Sequence, residues 1–313
     1  MLCQLMIKQT DWRSLYDEGC MGELELVCPT DLADTVCWAS RLLAKTGLEN
    51  PRHEARLLVG YGLGIPIEQT LCDQSHQLSE AECANVAALI QRRKDHEPFA
   101  YITGIKEFWS LEFGIGMESL IPRPASECIV ESALDILRDT KTKAQILDLG
   151  TGSGCLLLSV MHERSCVNGV GIDCSYESIL RATDNSHRLN MKTRAKFVVS
   201  NWGAALESRF DLILCNPPYV RSTEIGGLMR DVSDYEPRLA LDGGADGLSC
   251  FREIAPQLSR LLTPSGVICI EIGFGQANSV IAIFREYGLN LHDRRTDLAG
   301  VERCLVFGCL SSL

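Results

Sequence analysis

From Lys143 onward, short apolar runs alternate with longer stretches whose apolar residues recur every three or four positions. The first kind reads as strands over 145–149, 167–172, 196–200, 210–215 and 267–272. The second reads as helices over 154–162, 175–189, 248–262 and 276–287. This alternation demands a parallel sheet, because a chain leaving one parallel strand must cross back, usually through a helix, before it starts the next. Two further runs, 289–293 and 303–309, lie too close together for a crossover and are expected to form a terminal antiparallel hairpin. The expected fold class is α/β, with a mostly parallel sheet whose last strand is antiparallel.

Two of the strand ends carry chemistry. Ile146-Leu147-Asp148-Leu149 runs into Gly150-Thr151-Gly152-Ser153-Gly154, which opens a helix. Glycines at such a turn let a ligand approach backbone N–H groups closely. The spacing departs from the dinucleotide pattern G-x-G-x-x-G, and no Lys-Ser or Lys-Thr follows, so neither that fingerprint nor a P-loop matches. The next strand ends at Asp173, a carboxylate placed to accept hydrogen bonds from ribose hydroxyls. The run over 210–215 ends in Asn216-Pro217-Pro218-Tyr219. Consecutive prolines cannot continue a ladder, so a stiff loop must leave the sheet here. It carries an amide, backbone carbonyls and an aromatic ring to the carboxyl end of a strand, where open α/β sheets bind ligands. That set suits a planar NH2 group, with carbonyl oxygens to accept its protons and a ring to cover one face.

The chain of 313 residues is long enough for two domains. Four segments are expected: a disordered extension over 1–29, a helical domain over 30–98, a β-hairpin connector over 99–124 and a catalytic domain over 125–313. In the helical domain, Thr30 or Asp31 caps a first helix ending near Gly47, and a second runs over 52–61. Ser79 with Glu82 forms a capping box for a third that ends in Arg92-Arg93-Lys94, read as a solvated helix end. No catalytic cluster appears there, which suits a recognition role. The fifteen cysteines are scattered, odd in number and without a Cys-x-x-Cys pair, so buried free thiols are expected rather than a disulfide framework or a metal site. No apolar run approaches the length of a membrane span and the N-terminus is a poor secretory signal, so a cytoplasmic location is expected. A net charge of −11 argues against stable binding of duplex nucleic acid, whose phosphates call for a basic face.

The glycine turn, Asp173 and Asn216-Pro217-Pro218-Tyr219 together resemble a class I S-adenosylmethionine-dependent methyltransferase acting on planar nitrogen. Gly104-x-x-Glu107-Phe108-Trp109-Ser110, Leu120-Ile121-Pro122-Arg123-Pro124 with Glu127, Asn201-Trp202 and Glu236-Pro237-Arg238-Leu239-Ala240-Leu241 narrow this to a resemblance to the HemK/PrmC family over about residues 31–310. These enzymes methylate N5 of the glutamine in the Gly-Gly-Gln motif of class I peptide chain release factors. The resemblance implies a Rossmann-like catalytic domain and S-adenosyl-L-methionine as cofactor. By position, Gly150, Thr151, Gly152, Ser153 and Gly154 wrap its methionine part, Asp173 holds the ribose and Trp202 packs near the adenine. Asn216 counts among both the cofactor and the substrate contacts. Asn216 and the Pro217 carbonyl hold the substrate amide, Pro218 and Tyr219 shape its pocket, and Phe108 supplies an apolar wall. Two departures stand out. Asn201 replaces the family's Asp, and Ala125-Ser126 replaces the acidic residue and Thr that usually follow Pro-Arg-Pro.

The implied chemistry is direct transfer of a methyl group to a carboxamide nitrogen oriented by two acceptors, without a titrating base. Glu271, at the end of a strand, is expected either at the pocket or in solvent. His162 and His187 are expected on the surface, Cys215 as a packed thiol and the loop over 242–247 as structural. The competing readings are an adenine-N6 methyltransferase on DNA or RNA, which shares the tetrapeptide, a ribosomal-protein glutamine methyltransferase, and an inactive cofactor-binding module.

Overall fold

The structure, a computed structural model, describes residues 27–72 and 76–309. Residues 1–26 of the expected extension therefore lie outside the described residues. The chain forms two compact units that divide after Ile102.

The first unit is helical: α1 (Leu32–Ala44), α2 (Pro51–Leu63), the short α3 (Gln69–Cys72) and α4 (Glu80–Lys94), with a final turn α5 (Phe99–Thr103) at its end. The starts follow local chemistry. Asp31 accepts from the backbone N–H groups of Ala33 and Asp34, and Pro51 occupies the first turn of α2, which a left-handed Gly64 closes. Ser79 and Glu82 make both halves of the capping box. Leu32, Val36, Leu43, Leu58, Val59, Val86 and Ile90 form the core. The basic end of α4 is not simply solvated, as the sequence suggested. Arg93 is 3% exposed and forks onto Glu54 with bonds of 2.5 and 3.1 Å, while Arg92 pairs with Glu97. Arg93 falls on the inward face of α4, and Glu54 on α2 supplies the charge that makes its burial tolerable.

The segment over 99–124, read as one hairpin connector, is composite. Pro98 starts a helical turn instead of a strand, its carbonyl accepting from the N–H groups of Tyr101 and Ile102. The hairpin follows as β1 (Ile105–Phe108) and β2 (Leu111–Gly114), paired antiparallel within the second unit. Its two-residue turn places Trp109 and Ser110 at φ of 53° and 55°, the doubly left-handed turn that matches strand twist.

After the hairpin come α6 (Glu127–Ile136), β3 (Gln145–Leu149), α7 (Cys155–Glu163), β4 (Asn168–Asp173), α8 (Tyr176–Arg188), β5 (Ala195–Val199) and β6 (Phe210–Cys215). The short α9 (Arg230–Ser233), α10 (Ser249–Leu261), β7 (Leu262–Glu271), α11 (Ala277–Glu286), β8 (Leu289–Thr296) and β9 (Glu302–Cys309) complete it. The sheet order is β5-β4-β3-β6-β7-β9-β8. The strands from β5 to β7 are parallel, and β9 inserts antiparallel between β7 and β8. This is the class I methyltransferase arrangement anticipated above. Leu147, Ile213, Ile268 and Leu305 lie at the centre of a core that Phe251, Ile254, Phe284 and Phe307 cover from α10, α11 and β9. The described cysteines are free, but only Cys128, Cys215, Cys269 and Cys304 are buried. Cys37, Cys166 and Cys174 are exposed, contrary to the expectation of buried thiols throughout. No helix among the described residues is long and apolar enough to cross a membrane.

Phe284 is fully buried with its ring 4.7 Å from that of Phe307. Phe284→Ala leaves a cavity between α11 and β9 and is expected to cost about 3–5 kcal/mol in chemical denaturation. A loss below about 1 kcal/mol would mean that this side of the sheet is not packed as described.

Candidate active site

The parallel pairing of β3 with β6 aligns Leu149 with Cys215, so the glycine turn and Asn216 leave the sheet side by side. On the other flank of β3, Leu149 pairs with Ile172, which brings Asp173 to the same edge. β7 lies beyond β6 and ends at Glu271, one residue past the Cys215–Ile270 pair. Four neighbouring strand ends thus present their terminal residues together. Here the chain reverses its order across the sheet, the place where open α/β sheets bind ligands. A cavity of about 840 Å³ opens there, lined by Gly150 to Ser153, Asp173, Trp202, Asn216 and Pro218 among others.

The glycine turn is held by its neighbour strand. Gly150 and Thr151 both donate to the Ile172 carbonyl, at 2.9 and 2.8 Å. Gly152 donates to Asp173 Oδ2 and Ser175 to Asp173 Oδ1, each at 2.9 Å. Both carboxylate oxygens are thereby oriented; Oδ1 also accepts from the Cys174 thiol, and Oδ2 keeps a lone pair for a ligand hydroxyl. Gly154 sits at φ 82°, where a Cβ would also press against Leu158 and Ala182. Beneath the turn, Asp148 is fully buried and accepts from the Thr151 hydroxyl at 2.7 Å, while its Oδ1 takes no hydrogen bond. Burial pushes its carboxyl up to about 7, against the pull of Thr151 and the Leu157 N–H.

Trp202 occupies a left-handed backbone position, φ 47°. Its indole N–H is fixed by Glu253 Oε2 at 2.9 Å, and its ring lies 3.5 Å from where a side chain on Gly150 would begin. Asn201 also lines the cavity. The residues expected around a cofactor are therefore gathered on one side.

On the substrate side, Asn216 Nδ2 donates to Ser126 Oγ at 3.0 Å. Its other amide atom, Oδ1, is thereby set as the acceptor on a side chain that lines the cavity. Tyr219 donates from its hydroxyl to Glu271 Oε1 at 3.1 Å. Glu271 is 1% exposed, so neither expectation for it holds: it lies behind the cavity wall, away from solvent. Its carboxyl is raised by burial, which Ser126, Tyr219, Arg303 and Asn216 partly offset. Pro217 is buried, and neither it nor Tyr219 contributes to the cavity lining, which Pro218 does. Phe108 is placed differently from expectation. It is 2% exposed, packs edge-on against Phe113 and stays inside the hairpin's own core. His162 and His187 are exposed on their helices and Cys215 is buried, as the sequence suggested.

Two supporting elements frame this side. Arg123 pairs with the buried Glu236, which also accepts from the Ile121 N–H at 3.2 Å. This bond ties the Pro-Arg-Pro segment to the stretch around Pro237, and both line the cavity. The loop over 242–247 packs directly behind the tetrapeptide: a Cβ on Gly243 would lie 2.7 Å from Tyr219 Cα and 2.9 Å from the Pro218 carbonyl. Gln276 Nε2 donates to both the Tyr219 and Gly247 carbonyls, linking the two loops. Sequence reasoning missed Asn185 of α8. It is 1% exposed, accepts from Gly114 N–H at 2.7 Å and donates to the carbonyls of Gly114 and Ser153, binding the hairpin to the glycine turn. Its only signal was a polar residue on the apolar face of a helix.

Comparisons with known proteins agree with this geometry. Residues 34–104 match the family described as the PrmC N-terminal domain, and residues 140–282 match a methyltransferase domain. The chain is 39% identical over 275 residues to a release factor glutamine methyltransferase of Rhodospirillum rubrum, covering 88% of this chain and 83% of that one. A protein of the same description from Bradyrhizobium diazoefficiens is 39% identical over 267 residues, covering 84% and 90%. Another from Agrobacterium fabrum is 36% identical over 272 residues, covering 86% and 94%.

The buried Asp148 makes stability depend on pH. A carboxyl raised to about 7 binds its proton more tightly in the folded than in the unfolded chain, where it titrates near 4. Its contribution is therefore most favourable below about pH 4, falls as pH rises to about 7, and is flat above that. Asp148→Asn keeps an acceptor for Thr151 and removes the titration. The thermal midpoint of the variant relative to the parent is expected to rise between pH 5 and pH 8. A gap that does not change with pH would mean that Asp148 is not desolvated.

Proposed function

Because the chain belongs to the release factor glutamine methyltransferase family, we propose that it transfers a methyl group from S-adenosyl-L-methionine to N5 of the glutamine in the Gly-Gly-Gln motif of class I peptide chain release factors. The observation that carries this reading is the placement of Asn216 beside the glycine turn, with its amide held so that Oδ1 is free to accept. The cavity residues fit the donor. The turn over 150–154 admits a ligand against its backbone, Asp173 keeps acceptor capacity for ribose hydroxyls, and the fixed Trp202 ring offers a face to the adenine. When bound, S-adenosyl-L-methionine supplies an activated methyl on a sulfonium.

The residues of the chain then have to solve one problem. A carboxamide nitrogen is a poor nucleophile because its lone pair is delocalised, the resonance behind a rotation barrier of roughly 18–20 kcal/mol in peptide bonds. Asn216 Oδ1 and the Pro217 carbonyl each accept one of the two N–H bonds of the glutamine amide, which fixes its plane and aims its nitrogen. In favourable cases such orientation contributes on the order of 7–11 kcal/mol. The same acceptor dipoles favour positive charge as it develops on nitrogen. The amide proton becomes acidic only after the bond to carbon forms and then leaves to water, so no basic side chain is needed at the nitrogen. Pro218 lines the pocket, and Tyr219 backs it through its bond to Glu271. The helical unit is the proposed recognition element for the release factor, and the activity belongs to the cytoplasm, where translation terminates.

The test is methyl transfer from labelled S-adenosyl-L-methionine to a purified release factor, with mass mapping of the product. Label is expected on the Gly-Gly-Gln glutamine and absent from a release factor carrying Gln→Ala there. Equal labelling of both would refute the assignment. In the enzyme, Asn216→Ala is expected to lower turnover by at least about a hundredfold while S-adenosyl-L-methionine affinity stays within about threefold. A loss of cofactor affinity as large as the loss of turnover would place Asn216 on the cofactor and not on the glutamine.

A further inference from the structure

Asn216 acts only if its amide points the right way. Oδ1 must face the incoming N–H, yet an amide flipped by 180° would present NH2 there and repel it. The backbone of a proline-flanked loop does not decide between the two orientations. What decides it lies behind the loop. Ser126, 2% exposed at the start of α6, takes the Asn216 Nδ2–H with its hydroxyl oxygen. A hydroxyl can accept or donate, so Ser126 alone would tolerate either orientation of the amide. Glu271 removes that freedom. Its carboxylate lies against Ser126, Tyr219 and Asn216 at the end of β7, and it can only accept while ionised. The Tyr219 hydroxyl donates to Oε1, and the fully buried Oε2 takes no hydrogen bond from another described group. An acceptor left unfilled in that position attracts the Ser126 proton, which leaves the Ser126 lone pairs to the Asn216 NH2.

We propose that Glu271 and Ser126 are positioning residues that set the amide orientation of Asn216, with polarity running from the Glu271 carboxylate through the Ser126 hydroxyl to the Asn216 NH2. Glu271 also holds the Tyr219 ring by its hydroxyl, so one buried carboxylate orders two of the four residues of the loop. Neither Glu271 nor Ser126 touches the substrate nitrogen in this scheme; they act through Asn216. A carboxylate so fully removed from water is costly unless it is used, and behind a loop that must present one particular oxygen it has a use. This inference rests on the function proposed above for the same site and adds the origin of its acceptor geometry.

Steady-state kinetics with the release factor test it. Ser126→Ala is expected to lower kcat about tenfold or more, with KM for the release factor and affinity for S-adenosyl-L-methionine within about twofold of the parent. Ser126→Thr, which keeps the hydroxyl, is expected to restore most of the loss. Glu271→Gln is expected to lower kcat similarly, and the Ser126→Ala/Glu271→Gln double variant to fall no further than the worse single one, because both act on one bond. Multiplying losses, or a Ser126→Thr variant as poor as Ser126→Ala, would overturn the proposal. Crystal structures of the parent and Ser126→Ala proteins give a reading independent of the methyl acceptor. Asn216 should lose its single orientation in the variant, and an unchanged Asn216 there would overturn the proposal. Failure of the parent enzyme to label the release factor would instead count against the function.

Discussion

The parallel pairing of β3 with both β4 and β6 is the constraint on which the site depends. It sets three strand ends in register, so residues far apart in sequence emerge at one edge of the sheet. The glycine turn after β3 is central, with Asp173 on one flank and Asn216 on the other. The order β4-β3-β6 also means that helices leave toward opposite faces on either side of β3, which opens the crevice the cavity occupies. The loops need little else to locate them. The Ile172 carbonyl, at the end of β4, accepts the first two N–H groups of the glycine turn, so the same strand that supplies Asp173 also shapes the loop that faces it.

The loops are tied to one another by side-chain hydrogen bonds and an ion pair. Asn185 spans the hairpin and the glycine turn, Gln276 joins the tetrapeptide loop to the loop over 242–247, and the Arg123–Glu236 pair closes the wall between two cavity segments. Asn185 and Glu236 are buried, where leaving one partner unmet typically costs about 1–3 kcal/mol. That penalty makes the loops hard to deform locally. A transfer reaction that relies on orientation, with no basic side chain at the nitrogen, benefits from stiffness of this kind.

How much of this was legible in the sequence follows from how local each signal is. The carboxyl ends of the parallel strands, the capping box at Ser79 and the glycine turn are written in neighbouring residues, and the structure ends the five parallel strands within one residue of their expected positions. Asn216 could be singled out because two prolines after an apolar run force a loop at a strand end. The hairpin was placed too early because Phe99 to Ile102 has a strand's composition; Pro98 instead begins a helical turn. Ser126 and Asn216 meet across 90 positions, and Asn185 and Gly114 across 71. No periodicity carries such pairings. For the same reason Arg93 read as a solvated charge until α2 brought Glu54 against it. Phe108 read as a pocket wall because an aromatic residue in a motif suggests contact with a ligand, whereas its partner is Phe113 across the hairpin.

Three carboxyls behind the cavity, Asp148, Glu236 and Glu271, are all at least 95% buried and all pushed above the ordinary carboxylate value by desolvation. Their partners differ, and so do their roles. Glu236 faces a guanidinium and behaves as half of a structural pair. Asp148 faces the Thr151 hydroxyl and the Leu157 N–H, with no cation beside it, and supports the turn from below. Glu271 faces only neutral donors directly, with Arg303 acting at longer range, and burial pushes its carboxyl up. In a low-dielectric interior such a charge orients hydroxyl and amide dipoles in chains. That places an orienting carboxylate beneath the loop that the proposed function assigns to holding the carboxamide.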